Sequence, residues 1–142
     1  MAHIVEIREM SDDQLQEQLE IAREELFNLR FQKASARLED TSRVRQVRRE
    51  IAQMKEVLHK RRLAVDAAAS QPEIAEAISD ENWQTQTRYI YEDAAWEVVF
   101  LDGSGSEIAT AMVNLNQKRP RNKKQYERKG SPQLVKSFEV TG

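Results

Sequence analysis

A chain of 142 residues with 32% of them charged and a mean hydropathy of −0.74 has too little apolar material for a deep single core around a substrate cavity. It has no cysteine, which excludes disulfides, thiolate metal sites and cysteine nucleophiles and suits a reducing cytosol. The net charge of −2 hides an uneven distribution: residues 1–40 carry five Lys/Arg against ten Asp/Glu, 41–62 carry eight against two, 66–107 one against ten, and 118–129 seven against one. Phosphate attraction acts over about 8–10 Å, so a local basic block outweighs a near-neutral total, and RNA binding is compatible with this composition.

The opening Met1-Ala2-His3-Ile4-Val5-Glu6 lacks a basic region followed by an apolar stretch, and no later run approaches the roughly 20 apolar residues of a membrane span. A soluble, unprocessed protein with no membrane contact is expected. Ile4, Ile7 and Met10 suggest a short leading turn. Ser11 before Asp12 and Asp13 then reads as a helix N-cap with acids in the first turn, where the helix dipole favours negative charge. Leu15, Leu19, Ala22, Leu26 and Leu29 recur at alternating steps of four and three, the spacing that keeps one stripe facing a partner helix. Phe27 and Phe31 are read as widening that apolar face, in packing roles rather than as base-stacking rings.

After the short polar stretch Glu39-Asp40-Thr41-Ser42, a second run, Val44, Val47, Ile51, Met54 and Leu58, has the complementary spacing. So short a connection makes neighbouring helices run antiparallel, and the two stripes bury each other. Residues 1–65 are therefore expected to form a long α-hairpin. Ser70-Gln71-Pro72-Glu73 resembles a capping box with proline near the first helical position, predicting a short helix through Ile78 and a linker region over 66–83. Thr85, Thr87, Tyr89 and Tyr91 alternate with other residues. Trp96–Leu101 and Ile108–Leu115 flank Asp102-Gly103-Ser104-Gly105, and Leu134–Val140 follows the turn signal Gly130-Ser131-Pro132, predicting strands around a glycine-containing hairpin loop. The expected fold class is α+β: an antiparallel two-helix hairpin followed by a small β-rich extension over 84–142.

The strongest chemical signal is the basic second helix, with Arg43, Arg45, Arg48, Arg49, Lys55, Lys60, Arg61 and Arg62. Arg45, Arg48 and Arg49 lie off the Val44/Val47/Ile51 stripe with the small Ala52 among them, which leaves room for a phosphate backbone, and arginine forks suit bidentate phosphate contacts. Taken alone, the same face also fits solvated surface paired with Glu17, Glu20, Glu24 and Glu25 of the first helix.

Leu26-Phe27-Asn28-Leu29-Arg30-Phe31-Gln32, followed by Val44-Arg45-Gln46-Val47-Arg48-Arg49-Glu50-Ile51-Ala52, resembles the paired motifs of the twenty-ninth family of bacterial large-subunit ribosomal proteins. Ile7-Arg8-Glu9-Met10-Ser11 also fits, and the resemblance covers residues 1–65. The family's loop often has Asn-Pro where Asp40-Thr41 stand here, and its members commonly end near Val65. The resemblance implies a structural constituent of the large ribosomal subunit, cytoplasmic and ribosome-bound. It further implies an rRNA-bound hairpin near the nascent-chain exit, beside another ribosomal protein, where chaperone and targeting factors dock. Carried over by motif, the implied RNA contacts are Arg30, Lys33, Arg37, Arg43, Arg45, Arg48, Arg49 and Lys55. An independent homo-oligomer, a cofactor and a metal are not expected.

An enzyme lacks parts. His3 and His59 are far apart in sequence, and His59 sits among basic residues without companions for proton transfer or metal binding. Gly103-Ser104-Gly105 is not followed by a helix start or a Gly-Lys-Ser/Thr, so it reads as a turn rather than a phosphate loop. The strip 118–129, with Lys118, Arg119, Arg121, Lys123 and Lys124 around Tyr126, reads either as a second RNA anchor or as a solvated loop. The competing reading of the whole chain is a free coiled-coil adaptor whose charged arms pair with a protein partner.

Overall fold

The computed structural model describes residues 3–79, 82–118, 120–130 and 132–141. The chain divides into two compact units, residues 1–59 and 60–142, and its class is α+β as expected. Among the described residues no helix is long and apolar enough to cross a membrane.

In the first unit, α1 (Ile4–Glu9) begins where the Glu6 carboxylate accepts the His3 backbone N–H at 3.2 Å. Its Ile7 is 1% exposed. The next helix, α2 (Asp12–Ala34), starts on the predicted cap: Gln14 N–H donates to Ser11 Oγ at 3.2 Å and Ser11 N–H to Gln14 Oε1 at 3.1 Å, satisfying two of the donors a helix start leaves orphaned. Leu15, Leu19, Ala22 and Leu29 are buried, with Leu26 half-buried.

The long helix α3 (Ser42–Ala69) starts in the first unit and runs on into the second. Within the first unit it buries Val44, Val47, Met54 and Val57. Leu58 is half-buried, so the apolar face is two residues wide at this end. Arg30 and Lys33 share a concavity with Val44 and Arg48, whereas Gln18 and Ala22 share another with Glu50 and Met54. Ascending positions in α2 thus meet descending positions in α3, which makes the pair antiparallel.

The end of α2 explains how so short a connection reverses the chain. Ser35 caps the helix, Ala36 takes a left-handed φ of 55°, Ala36 N–H donates to Lys33 O at 3.1 Å and Arg37 N–H to Gln32 O at 2.9 Å. This is the two-bond Schellman closure, built here on alanine rather than the usual glycine. Asp40 then accepts the Ser42 N–H at 2.8 Å and starts α3. The two hydrogen bonds from Ser42, side-chain and backbone, hold the Asp40 carboxyl below the usual carboxylate value.

The second unit holds the last turns of α3, where Arg61, Ala64 and Ala68 are buried at steps of three and four. There follow α4 (Pro72–Ala77) and the strands β1 (Gln84–Ile90), β2 (Ala95–Leu101) and β3 (Glu107–Val113). Last come α5 (Lys123–Lys129) and β4 (Val135–Val140). The strands form one antiparallel sheet in the order β1-β2-β3-β4. Trp96 pairs with Tyr89 and Val113, Val98 with Thr87 and Ala111, and Phe100 with Thr85 and Ala109; directly opposite residues share a face. That face is the buried one, with Trp96, Val98, Phe100, Ala109, Ala111 and Val113 at 3% exposure or less. The alanines on β3 leave room where α4 lies against β3 and β4 with Ile74 fully buried.

Three local expectations are corrected. Ser70 does not cap α4: its Oγ donates back to Asp66 O at 2.8 Å, closing α3, and Gln71 stands at the N-cap without a side-chain bond. A serine between two helices can serve either, and here the preceding carbonyl takes it. Tyr91 lies beyond β1 in the turn to β2, which Ala94 closes with a φ of 47°. Part of the basic strip is helix rather than loop, because Asn122 Oδ1 accepts the Gln125 N–H at 2.9 Å and Gln125 Oε1 accepts the Arg121 N–H at 2.9 Å.

Candidate nucleic-acid interface

At about 100° per residue, Arg45, Arg48, Ala52 and Lys55 fall on the side of α3 away from Val47 and Met54. The structure shows this segregation: Val47 is fully buried and Met54 6% exposed, while Arg45, Arg48, Arg49, Ala52 and Lys55 are all exposed. Arg30 and Lys33 are exposed on the last turns of α2, and Arg37 in the connection. The hairpin reversal brings the two sets together. Arg30, Lys33, Thr41, Val44, Arg45 and Arg48 line a single concavity of about 240 Å³. Among the described residues four cations and no carboxylate line it, so a phosphate seated there meets guanidinium forks and an ammonium with no acid in the lining to repel it.

Two acids of α2 are engaged elsewhere. Glu20 pairs with Arg23 of its own helix. Glu25 accepts Arg43 Nε at 2.7 Å, and Arg43 Nη1 lies 3.9 Å from Glu50. Glu25, first by hydrogen bonding and less by its charge, raises the Arg43 pKa further above an already high value. Arg43, expected among the RNA contacts, is thus drawn into the hairpin's own ion pairs. Among the described residues, Arg45, Arg48 and Arg49 take part in no ion pair.

Phe27 and Phe31 do not widen the buried face. They are 69% and 66% exposed, the largest exposures among the big apolar side chains of the described residues. The wheel gives the reason: Phe27 lies about 100° past Leu26 and about 160° from Leu29, so it and Phe31, four residues on, stand on the flank away from the seam. Counting apolar residues per turn missed this, whereas their angular position predicted it.

In the second unit Lys118, Arg121, Lys123 and Lys124 are exposed, the last two in the first turn of α5, and Arg119 lies outside the described residues. The Asp102–Ser106 loop is a closed turn. Asp102 Oδ1 accepts Ser104 Oγ at 2.7 Å and the Ser104 and Ser106 N–H groups at 2.9 Å, leaving no free amide cradle at the carboxylate.

The family profile described as ribosomal L29 protein matches residues 5–61. The large ribosomal subunit protein uL29 of Geobacillus sp. (strain WCH70) is 47% identical over 62 residues, covering 44% of this chain and 91% of the relative. The chain belongs to the ribosomal L29 family. uL29 of Geobacillus stearothermophilus is similar at 48% over 61 residues, 43% of this chain and 92% of the relative. uL29 of Listeria monocytogenes serotype 4b (strain CLIP80459) is 49% identical over 59 residues, 42% and 94% respectively. The L29 match contains most of α1, all of α2 and most of α3, and with them the whole cation-lined concavity. As an L29-family member the chain is a structural ribosomal component and not an enzyme. The sheet and α5 lie beyond the matched residues, as a C-terminal extension to the L29 hairpin.

Proposed function

We propose that this L29-family chain is a constituent of the large ribosomal subunit in the cytoplasm and that its hairpin binds ribosomal RNA by charge and shape. The observation that carries the reading is the concavity lined by Arg30, Lys33, Arg45 and Arg48, extended along α3 by Arg49 and Lys55. Backbone phosphates are its natural occupants: they are the densest negative charge available, and each one neutralised releases counterions. Arg37 adds charge at the tip, and Arg43 braces the two helices. Residues 1–65 then form the rRNA-binding domain, 66–83 a linker with its short helix, and 84–142 a small β domain at the ribosome surface. In that domain Lys118, Arg119, Arg121, Lys123 and Lys124 supply a second, weaker anchor.

The family resemblance further supports a position near the nascent-chain exit, beside a neighbouring ribosomal protein, where chaperone and targeting factors dock. Sedimentation of the full chain with large subunits through a high-salt gradient tests the reading. A ribosomal constituent travels with the particle; a free coiled-coil adaptor stays at the top of the gradient.

A further inference from the structure

Phe27 and Phe31 present two aromatic rings to solvent on one flank of α2. The hairpin's own packing gains little from such a pair: each ring, about two thirds exposed, forgoes most of the burial free energy of a large apolar side chain. Residues four apart on a helix are surface neighbours about 6 Å apart along the axis, so the rings form one patch. The patch is not isolated from charge. Arg30, between the two phenylalanines in sequence, lies about 60° from Phe27 around the helix and lines the cation concavity with Lys33, Arg45 and Arg48. Apolar ring faces beside a cluster of exposed cations match a nucleotide, which carries an aromatic base and an anionic phosphate a few bonds apart. Single-strand binding surfaces combine the same two elements.

We propose that Phe27 and Phe31 form a stacking platform for unpaired nucleobases whose phosphates occupy the Arg30/Lys33/Arg45/Arg48 concavity. The hairpin then reads a loop or bulge rather than a continuous duplex, because a base inside an A-form helix has no free face to offer. This rests on the rRNA-binding reading above and adds to it a ligand class: splayed bases as well as phosphates.

The test is filter binding of the full chain to transcribed large-subunit rRNA over a salt series, with three double variants at positions 27 and 31. Phe27→Ala with Phe31→Ala is expected to weaken binding by about tenfold or more per ring, with the salt slope unchanged because no charge is lost. Phe27→Trp with Phe31→Trp is expected to retain affinity. Phe27→Leu with Phe31→Leu, apolar but without a ring face, is expected to bind as poorly as the alanine pair. Both residues are exposed, so all three variants should keep the wild-type helical signal and melting profile. Wild-type binding that is salt-dependent but equally strong in the alanine or leucine pair overturns the stacking platform alone and leaves the phosphate reading standing. It would hand the patch to a protein neighbour. Failure of the wild-type chain to bind rRNA overturns both.

Discussion

Arg43 Nε donates to Glu25 Oε1 at 2.7 Å, joining the first turn of α3 to the later half of α2 across 18 residues of sequence. The pair staples α2 to α3 and lines the hairpin's other concavity, with Ala22, Glu50 and Met54. Both side chains are more than a third exposed, so the contribution is modest.

A double-mutant cycle with Arg43→Met and Glu25→Gln is expected to give a coupling of about 0.3–1 kcal/mol, discounted for that exposure and falling as salt is added. The raised Arg43 pKa fixes the sign at the alkaline side. Its share of stability is fully present below the unfolded arginine value and is lost only as pH rises through the folded one. Urea melts between neutral pH and pH 9 should therefore show no loss of this coupling.

Ala36 occupies a left-handed position that glycine fills without strain. Ala36→Gly should stabilise the full chain by about 0.5–1 kcal/mol, the relief outweighing the extra backbone entropy of glycine in the unfolded chain. Ala36→Val should destabilise it by at least as much, since a β-branched residue tolerates positive φ least. Urea midpoints at constant slope check both.

Leu15 is fully buried in the seam, whereas Leu26 is half-buried. Leu15→Ala should cost about 2–5 kcal/mol and Leu26→Ala clearly less, because the exposed part of Leu26 never left water and no closed cavity forms there. Equal losses at the two positions, measured by chemical denaturation, would contradict the packing described.

Asp102 is held below the usual carboxylate value first by the Ser104 hydroxyl and then by the Ser106 backbone N–H. A depressed carboxyl contributes stability that is present above its unfolded value and lost as pH falls through the folded one. The amide resonances of Ser104 and Ser106 should thus keep their positions as the solution passes the ordinary aspartate range and move together only below it. In Asp102→Asn this acid transition should vanish while β2 and β3 stay paired.

Local chemistry was readable wherever one residue has one available role. Ser11 caps α2 as expected, with Gln14 directly after the acids completing the box, and the seams of α2 and α3 follow from spacing. The strands β1 to β4 follow from alternation and from the turn at Asp102-Gly103-Ser104-Gly105. Ser70 was ambiguous, since its hydroxyl reaches the carbonyl four residues back as easily as an N–H ahead. The helix α5 was missed because Lys123–Lys129 has no apolar period, and only its Asn122/Gln125 cap gave a signal. For the site, the cations of α3 were legible, but their concavity was not. It needs Arg30 and Lys33 set opposite Arg45 and Arg48, which depends on the register of the hairpin and on the closure at Ala36. Phe27 and Phe31 were misread by composition, when the angle between Phe27 and Leu26 already placed them outside.

The central claim, that the exposed cations of α3 hold the chain on large-subunit rRNA, is tested most directly by replacing Arg45→Glu, Arg48→Glu and Arg49→Glu together and measuring incorporation into high-salt-washed large subunits. None of the three is buried or ion-paired among the described residues, so the variant should fold with helicity and melting close to wild type. The account predicts a folded chain that is absent from the subunits, because three reversed charges now repel the phosphates they met. A folded triple variant present in those subunits at the wild-type level would contradict it.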